Sequence, residues 1–104
     1  MFKIEKIGNI YTKYMLKMSN NNILALIQWN PNVKTTIHNH GGQQCNFYLL
    51  GRTLHEVKYK NENKGSLTTS TELTPFKKNI VDKSEYHQMF NFDNKRKWSL
   101  HYYY

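Results

Sequence analysis

Cysteine is nearly missing from this 104-residue chain, with Cys45 standing alone. One thiol excludes an internal disulfide framework and any cysteine-rich zinc ribbon. Cys45 is left to packing, to reactivity, or to a bond with something other than cysteine. No apolar run approaches the roughly 20 residues of a membrane-spanning helix. The start, Met1-Phe2-Lys3-Ile4-Glu5-Lys6, lacks the apolar stretch of a secretory signal. A soluble, intracellular (cytoplasmic) protein with no membrane partner is therefore expected. There is no internal repeat and no low-complexity linker, and the length fits a single domain, residues 1–104, with a modest core. Acidic residues are scarce too, 7 Asp and Glu against 15 Lys and Arg, for a formal charge of +8. A basic balance suits either nucleic acid or an anionic substrate. The cations are scattered, with only Lys77-Lys78 and Lys95-Arg96-Lys97 as short clusters. Nucleic acid is therefore not the expected partner, and the charge is read as drawing in a small anion.

What the chain does hold is short, aromatic and β-branched runs divided by polar turns. The expected strands are Phe2 to Ile7, Tyr11 to Met18, Ile23 to Trp29, Val33 to His40, Cys45 to Leu50, Thr53 to Tyr59, Leu67 to Leu73, Lys78 to Val81, Tyr86 to Phe92 and Trp98 to Tyr104. Turn clusters such as Ser19-Asn20-Asn21-Asn22, Asn30-Pro31-Asn32 and Asn61-Glu62-Asn63-Lys64-Gly65 separate them. Tyr11 to Met18 also admits a helix. The spacing predicts an all-β sandwich or barrel. In the last strand, alternation puts Ser99, His101 and Tyr103 on one face and Trp98, Leu100, Tyr102 and Tyr104 on the other. In a barrel the polar row lines an interior pocket and the aromatic row packs against neighbouring elements; the alternative is a polar row facing water.

The most informative run is Ile37-His38-Asn39-His40-Gly41-Gly42-Gln43-Gln44-Cys45. Two histidines at i and i+2 of a strand share a face, which is a start on a metal site for iron, zinc, copper or nickel. An isolated pair of this kind is more often surface or turn. A third histidine that closes such a site is His87, in Tyr86-His87-Gln88-Met89-Phe90-Asn91. Asn91 is read as a turn or backbone-bonding residue, and His55 as a strand residue outside the site.

In these motifs the chain resembles the cupins, and among them the cysteine dioxygenases. His38-Asn39-His40 matches the His-x-His of the first cupin motif, and His87-Gln88-Met89-Phe90-Asn91 matches the His-x-x-x-Asn of the second. Cys45 stands where these dioxygenases replace the cupin glutamate. Ser99-Leu100-His101-Tyr102-Tyr103 matches their Ser-Leu-His-x-Tyr strand, and Tyr11-Thr12-Lys13 their Tyr-Thr-Arg segment. Trp29 before the His-x-His run and Leu54-His55-Glu56 after Cys45 are also similar. The match spans about Tyr11 to Tyr103. Two departures stand out. Lys13 replaces the family's arginine, keeping the charge but not the bidentate fork, and Ser84-Glu85-Tyr86 replace the Pro-x-Gly of the second motif.

The resemblance implies a small single-domain cupin, a double-stranded β-helix or jelly-roll barrel, holding Fe(II) through His38, His40 and His87, with Ni or Zn as other possible ions. It implies a thiol dioxygenase whose partners are a small thiol and O2 and whose product is a sulfinic acid. Tyr103, Cys45, His101 and Ser99 take the catalytic roles, with His101 and Ser99 orienting Tyr103, and a thioether crosslink joins Cys45 to Tyr103. Lys13 and Tyr11 face the substrate. The rival expectations are a metal-binding cupin without oxygenase activity and, more weakly, a basic barrel that binds nucleic acid. A monomer and a homodimer are both compatible with the sequence.

Overall fold

In the computed structural model, which describes residues 2–104, ten strands follow one another with only two 3₁₀ turns between them. They are β1 (Phe2–Ile7), β2 (Tyr11–Lys17), β3 (Ile23–Trp29), β4 (Val33–Lys34), β5 (Cys45–Leu49), β6 (Leu54–Tyr59), β7 (Leu67–Leu73), β8 (Asn79–Val81), β9 (Tyr86–Asn91) and β10 (Lys97–Tyr103). One sheet has the order β1-β2-β3-β10-β5-β8 and the other β4-β9-β6-β7, all neighbours antiparallel. The expected all-β architecture is present. Tyr11–Lys17 is a strand, not a helix, and boundaries elsewhere move by a residue. Among the described residues no helix is long and apolar enough to cross a membrane.

The two sheets close on a core made of alternate residues. Ala25, Ile27 and Trp29 from β3, Cys45, Phe47 and Leu49 from β5, and Leu54, Val81, Met89 and Tyr103 all point inward. The polar row of β10, with Lys97, Ser99, His101 and Tyr103, is buried with them. The polar row thus lines the interior, as expected of a barrel. The aromatic row meets neighbouring residues of its own sheet and its turns, Trp98 stacking on Tyr14 with centroids 6.2 Å apart and Tyr102 accepting from Asn22 Nδ2 at 2.9 Å. Ile4, Tyr14, Leu26, Leu100 and Tyr48 lie side by side in register across the outer face of the larger sheet.

The expected strand Val33 to His40 is corrected most. Only Val33–Lys34 is regular, and pairing resumes as an isolated bridge between His38 and His87. Between the Lys34–Phe90 pair and the His38–His87 pair the register slips by one residue, which is a β-bulge. Thr35 causes it. Its Oγ1 accepts the Met89 N–H at 3.0 Å, while its own N–H donates to Met89 O at 2.9 Å and its carbonyl accepts from Gln88 Nε2 at 2.8 Å. A side-chain oxygen standing in for the backbone carbonyl leaves one residue over. Without that extra residue Ile37 would face His87, and His38 would turn to the other side.

Candidate metal centre

The bulge makes His38 and His87 direct cross-strand neighbours. Their backbones exchange both hydrogen bonds, at 3.0 and 2.8 Å, and side chains of such a pair stand on the same face. Their Nε2 atoms are 3.1 Å apart. His40 follows two residues later, just before a reversal at Gly41 and Gly42. Both glycines have positive φ (62° and 86°), which costs a residue without Cβ little. This turn lets the chain swing from His40 into Cys45. The ring centroid of His40 lies 5.4 Å from that of His38 and 4.9 Å from that of His87. One nitrogen from each ring falls within 4.8 Å of the others.

The surroundings fix how these rings point. His38 Nδ1 lies 2.8 Å from Thr36 O, an acceptor, so Nδ1 carries the proton and Nε2 faces inward with a free lone pair. His87 Nδ1 lies 2.9 Å from Glu56 Oε2, with both side chains buried. Burial pushes His40 and His87 down to about 3 and keeps them neutral, with the neighbouring histidines adding to the effect. His38 is lowered as well, again chiefly by burial. Burial pushes Glu56 the other way, up to about 7, against the pull of Lys58.

Three observations test the fit to a metal. Two ring nitrogens 3.1 Å apart are stable only with a proton or a cation shared between them. His40 Nδ1 is a buried polar atom with no hydrogen-bond partner among the described residues. All three rings are in the neutral form that ligates. The donor set suits Fe(II), Ni(II), Zn(II) or Cu(II). It contains no carboxylate, so a bound dication would keep its charge for an incoming anion. The site can hold a divalent metal.

Beside the triad runs a buried hydrogen-bonded chain. Trp29 Nε1–H donates to Ser99 Oγ at 2.8 Å, which leaves the Ser99 hydroxyl to donate to His101 Nε2 at 2.7 Å. His101 then carries its proton on Nδ1, 3.8 Å from Cys45 Sγ. Cys45 in turn stands directly opposite Tyr103, its cross-strand partner on β10. His101 also lies beside Tyr103 itself, their rings stacked with centroids 6.0 Å apart. Burial holds His101 well below the usual imidazole range, pushes Cys45 up to about 12 and raises Tyr103 well above the usual phenol range. All three are neutral at pH 7.

The triad, Tyr103, His101, Lys13 and Tyr11 share one cavity of about 270 Å3. Lys13 Nζ sits 4.4 Å from the centroid of the Tyr103 ring. Burial lowers its pKa, and Glu5, opposite it in the β1–β2 ladder, works against that. Tyr11 meets Trp29 edge-on at 5.1 Å. Every expected site residue thus lines this cavity or, for Ser99 and Cys45, lies directly behind it. His55 lies elsewhere, bonded to Ser70 Oγ at 2.7 Å. Asn91 binds the carbonyls of Asn30 and Lys95, both at 2.9 Å. Thr35 is a participant outside every motif, and Glu56, within the Leu54-His55-Glu56 segment, is one to which the motifs gave no role. Glu56 had a legible signal, a carboxylate two residues after Leu54 on the same inward face of a strand.

No family model and no curated protein matches this sequence. Solved structures do. The Drosophila melanogaster CENP-C cupin domain superposes over 99% of this chain and 70% of its own length with a TM-score of 0.81, at 7% identity. An oxalate oxidase matches over 97% of this chain and 55% of its own (TM-score 0.77, 12% identity). The Lactobacillus farciminis oxalate decarboxylase, as its formate complex, matches over 98% and 30% (TM-score 0.78, 11% identity). The chain has the cupin fold. At these identities the likeness is one of architecture, and the chain spans about half or less of the two oxalate enzymes. Their activities are statements about those proteins.

Proposed function

We propose that this cupin is a metal-dependent thiol dioxygenase, with Fe(II) as its working metal. The overall reaction is R–SH + O2 → R–SO2H. Both oxygen atoms end on sulfur, which loses four electrons as dioxygen gains four. The observation that carries the reading is Cys45. It is fully buried, in register with Tyr103 and 3.8 Å from His101 Nδ1, and the resemblance puts it where other cupins carry a glutamate. When bound, Fe(II) supplies a redox-active, Lewis-acidic centre that favours the thiolate form of a substrate. The protein's own groups bind and orient. Lys13 offers a point charge to an anionic group of the thiol, and Tyr103 presents its hydroxyl to the cavity. Trp29, Ser99 and His101 lock the side of the site that holds Cys45. The cavity, about 270 Å3, is smaller than drug-sized sites of roughly 300–1,000 Å3, which fits a small thiol. The resemblance further suggests a Cys45–Tyr103 thioether, formed by loss of one hydrogen from each partner with dioxygen taking up both electrons and protons.

A metal-binding cupin without oxygenase activity is the second reading. Lys13 favours it, since a single ammonium already answered by Glu5 is a weaker anchor than a guanidinium fork. Oxygen uptake by the Fe(II)-loaded protein, before and after adding cysteine, cysteamine or a mercapto acid, decides between them. Thiol-dependent uptake with a sulfinate product and a mass lowered by two hydrogens is expected. Lys13→Met should weaken cysteine far more than cysteamine, which has no carboxylate. Bound iron without uptake for any thiol would leave the second reading.

A further inference from the structure

The larger sheet is apolar on its outer face. Its inner face lines the core and the cavity, whereas a sheet with one free face normally turns polar residues to water. Behind the row of Ile4, Tyr14, Leu26, Leu100 and Tyr48 runs a second, parallel one. Phe2, Leu16, Leu24, Tyr102, Asn46 and Ile80 stand in register across all six strands. Neither row contains a charge, although 21% of the chain is charged. Lys6, at the β1 end, is the one ionisable cation or acid that alternation places on this face. Phe2, Ile4, Leu16 and Ile80 are 62, 55, 43 and 40% exposed.

We infer that this face is the interface of a homodimer, with a second copy of the chain packed sheet to sheet against it. Six strands about 4.8 Å apart, with three outward positions along each of β1, β2, β3 and β10, two along β5 and one along β8, make a face of roughly 500 Å2. Two such faces bury about 1,000 Å2 together, the least that a specific interface needs. A monomer rarely leaves an apolar patch of several hundred Å2 in water. Charge selects the occupant. Two copies each carrying +8 can meet only where that charge is absent, and this face is where it is absent. An acidic protein or an anionic membrane would find no basic residue here apart from Lys6. The composition is that of an interface core, rich in Tyr, Trp and Phe and empty of Asp and Glu. Aligned packing about 10 Å apart, turned by roughly 30°, is the ordinary way two twisted sheets meet.

Sedimentation velocity at low and high micromolar concentration tests this on the full chain. The wild type should sediment at twice the mass of one chain. Leu16→Lys combined with Tyr48→Lys alters two side chains already 43 and 37% exposed, so the far-ultraviolet circular dichroism should be unchanged. Association should weaken by more than about tenfold, to a monomer, because each substitution appears twice across a two-fold interface. A wild type that stays monomeric at high micromolar concentration would overturn the inference, as would a variant that remains dimeric. Sedimentation with anionic vesicles in place of self-association would overturn it in favour of a membrane surface. None of these outcomes depends on a bound metal, so the proposed activity stands or falls separately.

Discussion

At the scale of single residues, Glu56 governs more of the metal site than its position outside the triad suggests. Its Oε2 lies 2.9 Å from His87 Nδ1, and both groups are buried. A carboxylate there holds the imidazole in the Nδ1–H form and turns Nε2 toward the shared position, and such supporting partners commonly carry 10–100-fold in metal affinity. Glu56→Ala should therefore weaken Ni(II) or Zn(II) binding by about 10–100-fold in a calorimetric titration, and leave the buried Nδ1–H without an acceptor. Glu56→Gln keeps an acceptor oxygen and should recover most of the loss. If Gln and Ala lose equally, the charge of Glu56 matters and its orienting role does not. The same logic separates His101 from Tyr103. His101 donates toward Cys45, so its substitution should disturb the thiol first.

At the scale of elements, the decisive feature is the bulge ahead of the His-x-His run. His38, His40 and His87 were legible as a set because histidine spacing and motif order survive in the sequence. Alternation along the last strand also placed Ser99, His101 and Tyr103 on one inward face, as the structure has them. What alternation did not reveal is that the strand carrying His38 breaks after Lys34 and resumes one residue out of step. A side-chain hydrogen bond made by one threonine sets that register, and Thr35 is indistinguishable in sequence from its neighbour Thr36. The two are distinguishable by experiment. Thr35→Val removes the Oγ1 that accepts the buried Met89 N–H and should cost about 1–3 kcal/mol, the price of an unpaired buried donor. Thr36→Val, on the exposed side, should stay within about 0.5 kcal/mol. Chemical denaturation of the two variants gives the comparison, and equal midpoints would remove Thr35 as the origin of the slip. Metal affinity should fall with Thr35→Val as well, because the ladder that presents His38 to His87 loses its support.

For the whole molecule, the larger sheet inverts the usual assignment of faces. Its inward face carries an indole, a hydroxyl, an imidazole, a thiol and a phenol, while leucine, tyrosine and tryptophan look outward. Chemistry has displaced part of the core, and the neutral state of those buried groups becomes a condition of folding. His101 shows the consequence most directly. It is almost wholly buried and held well below the usual imidazole range, first by desolvation and then by Lys13. The folded protein leaves it unprotonated, whereas the unfolded chain protonates it below about pH 6.5. Its contribution is therefore complete above that pH and is lost as pH falls, at about 1.4 kcal/mol per pH unit. His40 and His87, both pushed down to about 3, steepen the loss in metal-free protein between pH 6.5 and 3. Urea unfolding of metal-free protein at a series of pH values should thus show stability falling steadily below pH 6.5. His101→Gln, less stable at neutral pH, should fall with a slope shallower by about 1.4 kcal/mol per unit. Identical slopes would mean that His101 is already protonated in the folded state, and the directed chain from Trp29 through Ser99 to Cys45 would then be broken at its centre.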